Sequence, residues 1–157
     1  MAIISIALQI LAVFSTLRMR GVEKIAIVHF TTDRGLCGGL NANLNRVIGT
    51  FIREQIVPVT LITVGRKGRT FMLRAGQTIR AEFTGINDRP SLQDTLPISR
   101  VVIDDYSSGE VDLVYLTYPR FVSTMVQRPT MEVLLPVDPV ELPLSQRGEY
   151  IYEPEPS

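Results

Sequence analysis

One cysteine in 157 residues, Cys37, forbids an internal disulfide and excludes a zinc–thiolate cluster, so a reducing, cytoplasmic setting is the default for this chain. Charge of one sign is also missing. Sixteen Lys and Arg face sixteen Asp and Glu, and a balanced chain supplies no field to recruit nucleic acid or anionic lipid. A single histidine, His29, is the one member available to any histidine-based triad, and it falls inside an apolar run, where a hydrogen-bonded core residue is the ordinary reading. No apolar run is long enough to span a bilayer. The stretch 2–17 is interrupted by Ser5, Gln9, Ser15 and Thr16 and falls short of the roughly 20 residues a spanning helix needs. Its cations, Arg18 and Arg20, follow the stretch rather than precede it, the reverse of a secretory signal.

What remains is the composition of one globular domain: 45% apolar and 20% charged residues, long enough to bury a core. Three regions are expected: an apolar helical segment at 1–20, an α/β domain at 21–137, and an extended tail at 138–157 with four prolines. In the first, Ile3, Ala7, Ile10, Phe14 and Leu17 follow the 4-3-4-3 spacing of a coiled-coil seam. Two heptads do not establish a coiled coil, and a packed helix, a membrane or signal segment and a start-site artefact stay open.

From residue 24 the pattern alternates. Residues 24–30 form a nearly unbroken apolar run, as in a strand covered on both faces. Leu40, Leu44, Val47, Ile48, Phe51, Ile52 and Ile56 recur at helical spacing. A second strand is expected at 59–64, a short basic helix at 65–74 stopped by Gly76, and a third strand at 78–83. A helix follows at 91–106, with Pro97 marking a kink or a late start. Strands at 111–118 and 131–137 complete the set. The alternation predicts an α/β, Rossmann-like three-layer domain: a mostly parallel sheet of about five strands with helices on both faces.

Ligands of such a fold bind beyond the carboxyl ends of the strands, which selects two loops. The first carries Asp33, Arg34, Gly35, Gly38, Gly39 and Asn41. Its glycines allow tight turns, but Cys37 stands where a dinucleotide fingerprint needs its second glycine, and no Gly-Lys-Ser/Thr of a P-loop is present. The second crowds Arg66, Lys67 and Arg69 at a helix start, which is unfavourable at the positive end of a helix dipole unless an anion or acidic partner compensates. The 2′-phosphate of a dinucleotide and a plain solvated face both fit that cluster. Asp104 and Asp105 read as a solvated helix end, and Cys37 as a small buried hydrophobe. No catalytic set, cofactor site or metal site emerges.

Several stretches are more specific. Thr31-Thr32-Asp33-Arg34-Gly35-Leu36-Cys37-Gly38-Gly39-Leu40-Asn41 resembles the segment after the first strand of the ATP synthase gamma subunit. Val64-Gly65-Arg66-Lys67-Gly68-Arg69 is similar to that family's Gly-Arg-Lys-Gly motif, and residues 111–115, 121–130, 134–136 and 149–154 match further segments in order. The resemblance covers roughly residues 24–154. It implies a non-catalytic rotor domain that couples proton flow to ATP synthesis. The α/β ring, the epsilon subunit and the membrane c-ring would be its partners, on the cytoplasmic face of the membrane. It also implies contact roles for the two loops. The family's long shaft helices, one before the first strand and one after the last, are not expected within residues 1–157. A fragment, a truncated product and a degenerate relative all fit that pattern, and self-association through residues 1–20 is expected of an orphaned apolar helix. A stand-alone Rossmann-like nucleotide binder or interaction module is the alternative.

Overall fold

The computed structural model describes residues 21–35, 38–86 and 90–137. The expected helix at 1–20, Cys37 and the tail from 138 lie outside the described residues.

Five strands form one sheet in the order β3-β2-β1-β4-β5, with β1 at Ile25–Phe30, β2 at Val59–Val64, β3 at Ile79–Phe83, β4 at Leu113–Ser123 and β5 at Val126–Leu135. Helix α1 (Leu40–Glu54) joins β1 to β2, α2 (Arg66–Arg74) joins β2 to β3, and α3 (Leu92–Ser107) joins β3 to β4. The first four strands are parallel neighbours; β5 returns antiparallel to β4. The chain steps outward from β1 to β3 and then back across β1 to β4. Crossovers of one hand therefore place α1 and α2 on one face and α3 on the other.

β1 is buried from Ile25 to His29 because it is central and covered on both sides. Its alternate residues feed two cores, as the period of two demands. Ile25 and Ile27 meet Leu44, Ile48 and Ile52 of α1 and Met72 of α2, while Ala26 and Val28 meet Ile98 and Val102 of α3. Phe51 and Tyr115 add an edge-to-face pair with ring centres 5.3 Å apart.

Three features depart from the sequence expectation. The last strand begins at Val126, not 131, and pairs with β4 as a long hairpin up to Ser123↔Val126. Only residues 113–117 of β4 pair with β1, so the rest of the hairpin overhangs the sheet as a two-stranded ribbon. Phe121, Val122, Met125 and Val126 are exposed there, and without a buried face the ribbon has no apolar alternation to reveal it. Pro97 does not give α3 a late start: the helix begins at Leu92 behind a Ser91–Asp94 capping box and includes the proline. Asp105 is not solvated. It is buried, and Arg80 of β3 reaches over to it at 3.3 Å. A buried carboxylate needs such a partner.

Truncation in the central layer should be expensive. Ile27→Ala or Leu61→Ala, both at 0% exposure, should each cost about 2–5 kcal/mol in urea unfolding. Val133→Ala on the half-exposed edge strand should stay within about 0.5 kcal/mol.

Candidate functional site

The two loops selected from sequence meet at the carboxyl ends of β1 and β2, and what joins them is the first turn of α2. Three successive amides there have no partner within the helix. Each finds one in the chain leaving β1: Arg66 N–H donates to Asp33 Oδ1 at 2.9 Å, Lys67 N–H to the Thr32 carbonyl at 3.2 Å, and Gly68 N–H to Thr31 Oγ1 at 2.8 Å. The second oxygen of Asp33 accepts from Gly85 N–H at 2.6 Å, beyond the end of β3. One carboxylate thus fastens three loops. It also supplies the negative charge that the cations of this helix start require.

Both glycines of Gly65-Arg-Lys-Gly68 follow from that approach. A Cβ on Gly65 would lie 2.2 Å from the Thr31 carbonyl oxygen, and Gly65 holds φ +100°, a conformation open to glycine. A Cβ on Gly68 would lie 2.6 Å from the His29 ring and 2.9 Å from Thr31 Oγ1. The motif lets a helix dock directly on the strand beside it.

The remaining candidates divide between closure and surface. Asn41, at the start of α1, donates to Thr32 Oγ1 at 2.7 Å and accepts from Thr32 N–H at 3.2 Å, bending the loop back on itself. Arg69 is ion-paired with Glu82 of β3. Lys67 extends over Gly35, its Nζ 3.4 Å from where a Cβ there would stand. Arg34, Gly35, Gly38, Gly39, Arg66 and Lys67 are exposed. Gly38 takes φ +57° just before Gly39, which caps α1. The cluster therefore presents cations and glycine backbone outward, over a base held by hydrogen bonds.

Beneath it lies a residue that the sequence marked only as core. His29 is fully buried, with Nε2 2.8 Å from Asn45 Oδ1 on α1 and Nδ1 2.8 Å from Thr117 Oγ1 on β4. Burial holds its pKa below the ordinary imidazole value, the Asn45 hydrogen bond partly opposing. A neutral ring suits these partners: Nε2–H donates to the amide oxygen, and the hydroxyl of Thr117 donates to Nδ1. Asn45 and Thr117 escaped the sequence reading because polar residues in strands and helices are ordinarily taken as solvent-facing, and Thr31 and Thr32 were read only as part of the loop motif. The signal that could have found Asn45 is its place within the apolar stripe of α1, beside Leu44 and Ile48.

What the site does chemically follows from its filled amides. An anion cradle at a helix start works through unoccupied N–H groups, and here protein oxygens occupy those of α2. Among the described residues no group of three or more His, Cys, Asp or Glu could hold a metal ion. Because the site is a packing joint, substitutions in it should register as lost stability. Gly68→Ala should cost about 1–3 kcal/mol by overpacking. Gly65→Ala should cost more, adding backbone strain of about 1–3 kcal/mol to a collision with main chain. Asp33→Ala should cost about 1–2 kcal/mol by orphaning two amides. Urea unfolding of the three variants checks the order.

A family model described as ATP synthase matches residues 5–157. The chain is similar to the ATP synthase gamma chain of Dehalococcoides mccartyi, 60% identical over 139 residues, which cover 88% of this chain and 49% of that protein. It is 46% identical over 145 residues to the ATP synthase gamma chain of Acidithiobacillus ferrooxidans, covering 88% and 50%. The chain spans about half the length of the curated relatives it matches. Among solved structures it resembles a chain in the central stalk and c-ring of the Tetrahymena thermophila mitochondrial ATP synthase, with a TM-score of 0.61 at 20% identity over 83% of this chain and 59% of that one. A chain of the Euglena gracilis mitochondrial ATP synthase rotor gives 0.57 at 18% identity over 83% and 54%. At such identities the likeness speaks for the fold, and the sequence relatives speak for the family. With a family match along nearly its whole length and gamma chains as relatives, the chain belongs to the ATP synthase gamma-chain family.

Proposed function

We propose that this chain is the globular, non-catalytic domain of a rotor subunit in an F-type proton-transporting ATP synthase, where it passes torque between the proton-driven ring and the shaft. The observation that carries this reading beyond family membership is the occupied first turn of α2. A Rossmann-like domain that bound a nucleotide there would keep those amides open for phosphate. Asp33, Thr32 and Thr31 take them instead. A domain made to carry load gains from that arrangement, since close-packed interiors deform little.

The partners in this reading are the α/β ring, the epsilon subunit and the membrane c-ring, and its place is the cytoplasmic face of the cell membrane as a peripheral part of the complex. The exposed cations Arg34, Arg66 and Lys67 beside the glycine backbone at 35, 38 and 39 suit an acidic protein surface. Charge complementarity of that kind sets the rate and specificity of docking more than its strength. No cofactor is assigned.

Residues 1–20 belong to the same proposal as a segment whose apolar positions call for a helical partner. Burying a Leu, Ile or Phe is worth about 1.5–3 kcal/mol, so several without cover favour association. Two measurements test the reading. An affinity-tagged chain expressed with the other synthase subunits should bring down epsilon and the c-ring, and failure to recover either would refute the rotor assignment. In light scattering the full chain should self-associate more than one shortened to begin at Gly21. Two clean, equally soluble monomers would remove the role given to residues 1–20.

A further inference from the structure

The His29 ring ties β1 to three other elements around the loop cluster. It belongs to β1, bonds Asn45 of α1 and Thr117 of β4, and lies under Gly68 in the first turn of α2. We propose that His29 is a proton-responsive clasp: when its ring takes up a proton, the first turn of α2 lifts from the end of β1 and the loop cluster loosens.

The hydrogen-bond geometry allows the proton to arrive. Thr117 Oγ1 lies 2.8 Å from Nδ1 and 3.4 Å from the Val28 carbonyl, so its hydroxyl can turn from the ring to the carbonyl and leave an oxygen lone pair for a new Nδ1–H. The Asn45 bond persists in either state. Among the described residues no counter-charge faces the ring. The groups facing the ring are Asn45 from α1, Gly68 from α2, Thr117 from β4 and Thr63, level with His29, from β2. Thr63 Oγ1 is buried and has no partner among the described residues. Tyr115, two residues before Thr117, is engaged with Phe51. Arg46, Arg53 and Glu54 of α1 and Arg66, Lys67 and Arg74 of α2 are exposed, Arg69 pairs with Glu82 and Arg120 with Glu132. Asp33 is committed to two backbone amides. An imidazolium would therefore be a buried, unpaired cation, the costliest form of a buried polar group.

Relief comes from exposure, and the cover that yields is the lightest. Helix α2 has nine residues against fifteen in α1, and its first turn is held to the β1 loop by the three amide bonds already described. The ring is neutral when closed and takes up its proton on opening, so opening grows as pH falls below the ordinary imidazole pKa of about 6.5. One linked proton allows at most about a tenfold change per pH unit. His29 is the only imidazole in the chain, which makes the assignment direct.

Amide hydrogen exchange by NMR from pH 7.5 to 5, corrected for the intrinsic rate, reads this out. Protection of Arg66, Lys67 and Gly68 should fall below pH 6.5 by up to about tenfold per unit, while amides in the middle of α3 hold theirs. Asn45→Asp, which sets a carboxylate against Nε2, should remove the fall. Flat protection at the three amides, an equal fall in α3, or a fall that persists in a folded Asn45→Asp variant overturns the proposal. Should that variant not fold, the wild-type ring decides it by its own titration. An imidazole in the closed state titrating at or above about 6.5 contradicts the clasp, and one titrating below it, alongside the amide loss, supports it.

Discussion

The approach of α2 to the end of β1, too close for a Cβ at residue 65 or 68, is the constraint on which the rest of the site depends. It brings the first-turn amides within reach of Thr31, Thr32 and Asp33, so the loop after β1 closes on the helix instead of on solvent. It sets the cations Arg66 and Lys67 beside Gly35 on the outer surface. It also seals His29 beneath Gly68, where the ring can find only uncharged partners. Remove the clearance and all three consequences go together.

The occupied turn closes one anion site that a Rossmann-like outline could offer. The strand order still reverses beside β1, where such folds ordinarily take a ligand. The start of α2, whose amides and cations could have received an anion, has been turned inward and used as a weld. The same atoms cannot serve both purposes, since each backbone N–H offers one proton. A joint of this kind suits a part whose task is to hold two loops in fixed relation to a partner.

The parallel part of the sheet was legible in the sequence because central strands covered on both faces are mostly apolar, as residues 25–30 and 59–64 are apart from His29, Thr60 and Thr63. The overhanging hairpin was not, for the opposite reason: residues 118–130 lie beyond the part of β4 that pairs with β1 and owe their pairing to β4 and β5 alone. Asp105 was misread because a carboxylate near a helix end is ordinarily solvated, and its partner Arg80 is 25 residues away in sequence. The two loops were singled out in the sequence as candidate contact surfaces and the structure brings them together, and charge alone called for an anion or an acidic partner beside Arg66. That the acid is Asp33, from the other loop, required the contact between β1 and α2. The glycines of the second loop carried no reading of their own in the sequence, and the structure shows the chain leaving β1 packed against them.

The central claim is that the first turn of α2 is a closed protein joint whose outer surface meets a protein partner. Backbone amide shifts of Arg66, Lys67, Gly68 and Gly85 in a labelled sample test it most directly, followed first with magnesium ATP or NADP and then with the epsilon subunit. The account predicts no saturable shift with either nucleotide up to about 1 mM, an affinity of roughly −4 kcal/mol, and a saturable shift in the loop cluster with the protein. Saturable nucleotide shifts at those amides, abolished by filling Gly68 with a side chain, would contradict it.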